Sequence, residues 1–382
     1  AASDVYKRQG TGSMKIRASV GSVGSSKFSA DQALTRFVYN SDGEYNGIYG
    51  AELLQYGNTA LKWQNTLKYN LGLDMTVWKN IITLNFDAYL ERTENLLMDV
   101  DVAPSTGFTS YKENMGSLDN KGIEARLRLN LLRGDDKGWN WNVTLSASHE
   151  RDKIRKLSNA MKAMNAEAMK IENNTDSTSV FTMYEVGRSQ KALMLVKSLG
   201  IDPATGNELY LKRDGSTTFD YDPNDRVEVG NTTPKIQGFI NTNLSWNHIE
   251  LYMAFNYEYG AKIYNSTLAQ KVEGASPYQN ADKRVLYDRW KKPGDIAMFR
   301  RIDDQGPVYQ SSRLVQKNNY IRMSSLSLTY DIPREKLART FIERCKFTFS
   351  MTDVFRISSI KQERGTSYPF AWTYSFGVNL TF

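Results

Sequence analysis

The chain is dominated by short segments in which apolar and polar residues alternate. From residue 67 to 77 every odd position is apolar or aromatic, and polar residues or glycine stand between them. From 82 to 90 the even positions are apolar, and only the four residues WKNI separate the two segments. A period of two is typical of a β-strand with one apolar face, and the short separation predicts a hairpin.

The same alternation recurs to the end of the chain. It is clear in nine segments, at 67–77, 82–90, 123–131, 139–147, 236–246, 249–259, 320–330, 345–355 and 372–382, and weaker in three, at 14–21, 192–201 and 207–213. The sequence therefore predicts about twelve antiparallel strands. A tilted strand of about ten residues spans the hydrocarbon core of a bilayer.

The connections between these strands are sorted by length. Short turns are expected at 78–81, 132–138 and 247–248, and long polar connections at 22–66, 92–120, 149–191, 260–319 and 356–371. Transmembrane β-barrels have short periplasmic turns and long extracellular loops, whereas a soluble sandwich has no reason to sort its loops. The pattern thus favours an all-β transmembrane barrel.

Two segments have a helical pattern instead. Residues 157–172 have 3–4 spacing, which predicts a helix docked onto the loops with one face made of Leu157, Met161, Met164, Ala168 and Ile171. Residues 333–343 begin with a proline and predict a short helix on the inner side.

Large aromatic residues mark the ends of the expected strands. Four stand at the end with short turns and one at the other end: Trp78, Trp139, Trp246, Tyr330 and Trp372. Amphipathic rings favour the two membrane interfaces, although soluble β proteins also carry tryptophan at strand ends. We expect these five residues at the interfaces.

Hydropathy and charge argue against two classes of protein, those with membrane-spanning helices and those that bind nucleic acids. The mean hydropathy of the 382 residues is −0.53, and no apolar run approaches the ~18 residues of a membrane helix. The net charge is +7, but Lys and Arg are dispersed, so no nucleic-acid partner is expected.

Candidate chemistry is sparse. The chain has one cysteine and two histidines, and no GxSxG, HExxH or phosphate-loop motif occurs. The segment 220–225 begins like a calcium loop, but Asp225 and Asn231 replace the required Gly and Glu. We expect no enzyme activity, no catalytic or metal-binding residues and no cofactor.

Seven segments together, in this order, resemble the barrel of the SusC/RagA-type TonB-linked outer-membrane transporters of Bacteroidetes. They are KIRASVG (15–21), ALKWQNTLKYNLGLDM (60–75), TGFTSYKENMGSLDNKGIEARL (106–127), LGIDPATGNELY (199–210), DRVEVGNTTPKIQGF (225–239), NNYIRMSSLSLTYDIP (318–333) and TYSFGVNLTF (373–382).

The resemblance implies a plugged barrel of the 22-stranded class, of which about twelve strands would be the C-terminal half. It implies import of an oligosaccharide, less often a peptide, with a SusD-like surface lipoprotein, energised by the TonB complex through an N-terminal part missing here. It also implies contact with outer-membrane lipids, and a role for the terminal Phe382 as a signal to the assembly machinery.

Residues 1–13 lack the apolar core of a secretory signal and are expected to be a non-native leader. Residues 14–382 are then expected to be the receptor barrel, with the plug and early strands missing. Two alternatives stay open: a passive porin-like barrel, and a soluble β-rich carbohydrate-binding protein.

Candidate site residues follow from these expectations. The polar sides of the strands place Asp87, Arg126, Arg128 and Asn241 towards a lumen. Ligand or partner contacts are expected from aromatic residues of the longest loop, because flat rings stack on sugar faces: Tyr264, Tyr278, Tyr287 and Trp290. These rings would otherwise pack the loops together. The importer hypothesis requires that the apolar faces look outward and do not meet in a sealed core.

Overall fold

The computed structural model describes residues 12–25, 33–101, 110–134, 138–159, 161–166, 183–276, 278, 280–304, 306–338, 340–361 and 372–382. Its main element is a sheet of ten antiparallel strands. They are β1 (Gly12–Ser25), β4 (Gln64–Val77), β5 (Ile82–Glu94), β8 (Gly116–Arg133), β9 (Trp139–Leu157), β14 (Ile236–Trp246), β15 (Ile249–Tyr264), β16 (Val315–Asp331), β17 (Arg344–Ser358) and β18 (Thr373–Thr381).

Eight further strands lie in the described parts of the connections. One hairpin pairs β2 (Arg36–Tyr45) with β3 (Ile48–Gln55), and another pairs β6 (Leu97–Asp101) with β7 (Ser110–Asn114). A four-stranded sheet has the order β12-β11-β10-β13. Its strands are β10 (Ala192–Ile201), β11 (Glu208–Leu211), β12 (Thr217–Thr218) and β13 (Arg226–Asn231).

The ten strands follow one another in sequence order, and their connections are sorted as expected. β4 and β5 are joined across 78–81, and β14 and β15 across 247–248. The eight further described strands, four of which form the four-stranded sheet, all lie in connections at the opposite rim, which we call the outer rim. The all-β barrel fold predicted from alternation and loop lengths is confirmed, and the ten strands form an open sheet in which β1 and β18 are the edges.

The nine clearly alternating segments and the weaker segment at 14–21 form the ten strands of this sheet. The segments at 192–201 and 207–213 instead contribute β10 and β11 to the four-stranded sheet. The reason lies in burial, because five consecutive residues from Ala192 to Val196 are buried, whereas a membrane strand exposes alternate residues.

Both segments predicted to be helical contain a helix, but each described helix is shorter than the predicted one. Residues 161–166 are helical, and Met161 packs against Met115, Ile154 and Tyr184. Ala168 and Ile171, expected on the same face, lie outside the described residues. In the segment 333–343 the helix covers only Arg334–Leu337. Within the described residues, no helix has the length and hydropathy needed to cross a membrane.

Among the described residues, none packs over the apolar face of the large sheet as a second layer. Leu71 is 56% exposed, Ile123 47% and Phe376 68%, and Phe86, Leu127 and Leu251 are half-buried. The two clusters of buried apolar residues lie in and near the outer connections. The apolar faces therefore do not form a sealed core, as the barrel hypothesis requires.

A first prediction concerns this face. Leu71 lies near the middle of the ~9–11 residues that span a bilayer, counted back from the β4–β5 turn. We expect Leu71→Arg to destabilise the folded state by about 2–4 kcal/mol, because arginine near the midplane of a membrane strand is costly. The amount of folded protein in membrane fractions, measured by its heat-dependent mobility in gels, should fall.

The matched control is Ser19→Arg. Ser19 pairs with Asn70, the residue before Leu71, so it lies at the same depth on the opposite, polar face. We expect it to leave folding close to wild type, and equal loss in both variants would contradict the assignment of the two faces.

Candidate functional site

The polar face of the large sheet carries an ordered network of charges near its first edge. The Arg17 guanidinium donates to Asp74 at 2.8 Å and to Asp87 at 3.2 Å. The amide of Asn85 donates to Asp74 at 2.8 Å, and that of Asn70 donates to Asp87 at 3.1 Å. Three strands are thus linked through side chains on one face.

A glycine makes this network possible. In the ladder, Gly72 pairs with Arg17 on one side and Asp87 on the other. A Cβ at Gly72 would lie 2.7 Å from both the Arg17 Nη2 and the Asp87 Oδ1 atoms. Arg17 and Asp87 therefore reach each other across β4 because the residue between them has no side chain.

Further along the same face the sheet bounds a polar cavity of about 590 Å³. Acidic, basic and aromatic groups line the cavity, together with serine and amide side chains. Its charged and aromatic lining includes Asp87, Glu124, Arg126, Phe239, Glu258 and Tyr320. The Arg126 guanidinium stands 5.7 Å from the centre of the Phe239 ring, and the Tyr320 hydroxyl donates to Glu258 at 2.6 Å. We call this set the lumen cavity.

The four residues expected towards the lumen all lie on this polar face, but only two line the cavity. Asp87 and Arg126 line it, with Glu124 paired to Asp87 in the ladder. Arg128 and Asn241 both pair with Thr144, nearer the short turns, and lie outside the cavity lining. Alternation in the sequence indicates on which face of the sheet each side chain lies. The register of the ladder adds how far each side chain lies from the short turns.

Sequence reasoning missed Tyr320 and Phe239 as cavity residues. Tyr320 opens a predicted strand, and a register shift in the β15–β16 ladder separates it from the apolar residues further along that strand. Phe239 follows Gly238 on β14 and stands among polar neighbours. An aromatic residue at a polar position of the alternation was the signal that could have found Phe239.

The outer connections form a second candidate region, which is held together by a buried ion network. Arg313 donates to Glu208 at 2.9 Å and to Glu273 at 2.5 Å, and all three side chains are almost fully buried. Arg300 donates to Glu273 at 3.0 Å. We call these four residues the outer ion network.

Burial and charge act against each other in this network. Burial raises the pKa of Glu208, but the Arg313 charge and hydrogen bonds from Arg313 and Ser311 outweigh it, so the pKa is lowered. Burial likewise lowers the pKa of Arg313, and the two glutamates more than reverse this. Both groups stay ionised, and the network stays paired, because each charge has its counter-charge.

The aromatic residues expected to contact a ligand occupy different environments. Tyr264 is buried at the end of β15, whereas Tyr278 and Tyr287 are 94% and 63% exposed. The Trp290 indole nitrogen donates to the Pro203 carbonyl oxygen at 2.8 Å, and the ring lies against Gly206. A Cβ at Gly206, whose φ is +76°, would approach the Trp290 ring to 2.6 Å, so this glycine allows both the turn and the contact.

The aromatic residues expected at the membrane interfaces lie at the strand ends. Trp139 and Trp246 are paired in the ladder and stack at 5.3 Å, and Trp78 stands in the β4–β5 turn. Tyr330 lies at the same end, and Trp372 precedes β18 at the other. Phe382 stacks at 5.6 Å on Phe341, in the short connection before β17.

In the described part of the chain, no cluster of three or more His, Cys, Asp or Glu side chains has a geometry suited to a metal ion. Cys345 is buried. The two candidate regions carry groups suited to binding a ligand. The lumen cavity has hydroxyl, amide and charged groups, and the outer connections have exposed aromatic rings.

Comparisons with known proteins agree with this architecture. Residues 15–179 match the family model described as "TonB dependent receptor-like, beta-barrel". TonB-dependent receptor P3 of Formosa agariphila is 25% identical over 96% of this chain and 39% of its own length. TonB-dependent receptor SusC of Bacteroides thetaiotaomicron is 29% identical over 38% of this chain and 15% of its own length.

Among solved structures, "Structure of the RagAB peptide transporter" superposes with a TM-score of 0.77 at 21% identity, covering 97% of this chain and 41% of that chain. This similarity concerns the fold. The chain spans about two fifths of the length of the long curated relatives it matches.

A prediction tests the outer ion network. We expect Arg313→Met in the full-length receptor to destabilise the outer connections by about 3–5 kcal/mol, because it leaves buried carboxylates without their counter-charge. Limited trypsin digestion should then cut within 184–314 at lower temperature than in the wild type.

Arg188→Met is the matched control. Its ion pair with Glu228 lies at the surface of the same region, and surface pairs contribute about 0–1 kcal/mol. If both variants resist digestion equally, the network is not what holds the region together.

Proposed function

We propose that this chain is part of the β-barrel of a TonB-dependent receptor of the SusC/RagA type in the bacterial outer membrane, and that it forms the lumen wall and outer vestibule of an importer for oligosaccharides or peptides. The supporting observation is the contrast between the two faces of the large sheet. One face is apolar and exposed, and the other carries the charge network and the lumen cavity.

The cavity chemistry suits a neutral, hydroxyl-rich or amide-rich ligand. Its side chains offer both donors and acceptors, and the Phe239 and Tyr320 rings offer flat apolar surfaces. Three carboxylates line the cavity, from Asp87, Glu124 and Glu258, but Arg17 pairs with Asp87 and Arg126 lies among the acids. The lining therefore carries little net charge. An oligosaccharide or a peptide without net negative charge fits this lining.

Import against a gradient needs energy, and we propose that the TonB complex supplies it. The segment that contacts TonB and the plug that closes the lumen would belong to the part of the receptor outside this chain, since the relatives are much longer. The chain itself would do no covalent chemistry.

A SusD-like surface lipoprotein is the proposed partner at the outer rim. Four apolar or aromatic side chains of one outer connection are exposed to 54–94%: Leu286, Tyr287, Ile296 and Ile302. Exposed apolar side chains grouped in one loop mark an interaction surface. We assign this surface, the vestibule patch, to the lipoprotein.

Uptake in the source bacterium tests the importer proposal. We expect labelled oligosaccharide or peptide to enter cells only when both the receptor gene and TonB are intact. A porin-like barrel would admit the ligand by diffusion, so uptake that needs the receptor but persists without TonB would favour that alternative.

A second measurement tests the vestibule patch. We expect Leu286→Asp with Ile302→Asp to reduce co-purification of the lipoprotein with the full-length receptor by about tenfold or more, because two buried contacts would each gain a charge without a partner. Thr217→Asp with Lys212→Asp, at exposed positions of the same outer region, is the control. Unchanged recovery in the first variant would place the partner elsewhere.

A further inference from the structure

The membrane-facing side of the sheet changes character towards the outer rim. Ile123 pairs with His149 on the apolar face, and one row further out Lys121 pairs with Arg151 on the same face. Asp119 and Lys153 form the next row. The apolar band of β8 and β9 therefore ends in charged residues.

These charges are predominantly basic. Lys121, Arg151 and Lys153 are exposed, and within the described residues none of the three side chains makes an ion pair. The neighbouring Asp119 already accepts from Arg92 at 3.1 Å and forms an ion pair with Arg155 at 3.5 Å. Among the described residues of β5, β8 and β9, Glu94 at the end of β5 is a second acid on this face. We call Lys121, Arg151 and Lys153 the basic rim.

A groove lies directly below the basic rim. It has a volume of about 450 Å³, and its apolar walls come from Phe86, Ile123, Ala125, Ala147 and Ile236, with His149 and Arg151 at its end. Ala125 and Ala147 pair in the ladder and form the floor of the groove. The groove exists because their side chains are much smaller than those of the surrounding wall residues. The His149 Nδ1 atom lies 2.5 Å from the Lys235 carbonyl oxygen, which fixes the imidazole ring at this end.

The basic rim lies at the depth of the outer headgroup layer of the membrane. Counted from the short β8–β9 turn, a bilayer-spanning strand of ~9–11 residues ends near His149, so Arg151 and Lys153 lie just beyond the hydrocarbon. A basic side chain at this depth on the lipid side attracts an anionic headgroup, and an apolar groove beneath it accommodates an acyl chain.

We propose that the basic rim and the groove together bind a phosphate-bearing lipid of the outer leaflet. Its phosphate lies on Lys121, Arg151 and Lys153, and one acyl chain lies along the groove over Ala125 and Ala147. This site faces away from the lumen cavity. It depends on the chain's place in the outer membrane and not on the transport proposed above.

The test uses the full-length receptor, purified in mild detergent from its own outer membrane. Native mass spectrometry and phosphate analysis of extracted lipid give the lipid bound per receptor. We expect Lys121→Gln/Arg151→Gln/Lys153→Gln to lower this amount about tenfold or more, because each basic side chain near the surface contributes to holding an anionic lipid.

A charge-matched control comes from the other rim. Lys79, Arg334 and Lys336 are exposed there, beside the short turns. We expect Lys79→Gln/Arg334→Gln/Lys336→Gln to keep the bound lipid at the wild-type level. Equal lipid in both triple variants would overturn the proposal.

Ala147→Phe tests the groove separately. Phenylalanine is apolar and suits a membrane face, so folding should be preserved, while its ring fills the space between Ile123 and Ile236. We expect bound lipid to fall although the basic rim is intact. Lipid retention at the wild-type level would show that no acyl chain lies in the groove.

Two further measurements distinguish a phosphorylated lipid from the other molecules that could occupy the groove and the basic rim. Delipidated receptor should take up a phosphorylated outer-leaflet lipid from vesicles, but not the same lipid after enzymatic removal of its phosphate. Millimolar inorganic phosphate should not displace the lipid, and displacement would indicate a free-anion site instead. A second receptor copy is the remaining occupant, and a dimer that dissociates in the basic-rim variant without any change in lipid would also overturn the proposal.

Discussion

In the hydrocarbon core of a bilayer no water is available to a backbone amide, so each membrane strand depends on its neighbours for hydrogen bonds. The β4–β5 and β14–β15 ladders run without a register shift from end to end. Once the ladder is fixed, the side chains of each strand alternate between lipid and lumen. The exposed apolar face and the polar face are two results of this one constraint.

The polar face has more freedom, because water and protein groups are both available to it. Charged side chains can pair across strands there, as Arg17 does with Asp74 and Asp87 over Gly72. On the membrane side of β8 and β9, charged residues begin where the strands leave the hydrocarbon, at Lys121 and Arg151. The change from apolar to basic within two residues locates the outer boundary of the membrane on β8 and β9.

Much of this architecture could be predicted from the sequence because lipid imposes a period of two. The nine alternating segments and the sorting of short and long connections were sufficient for the barrel fold. The continuous apolar run from Ala192 to Val196 was wrongly added to the barrel strands, since burial in a small sheet and exposure to lipid both require apolar residues. The outer ion network could not be predicted, because Glu208 and Arg313 are far apart in the chain and no local pattern connects them.

The placement of the outer connections has a consequence for how barrels of this architecture diversify. Each connection leaves one strand and returns to a partner already held by the ladder. For example, β14 begins beside the middle of β9, where Gln237 pairs with Ser148. The entropy of closing such a loop rises by only about 0.6 kcal/mol for each doubling of its length. Whole outer segments can therefore be lengthened or exchanged as cassettes while the spanning strands keep their register, which separates the evolution of ligand choice from that of membrane insertion.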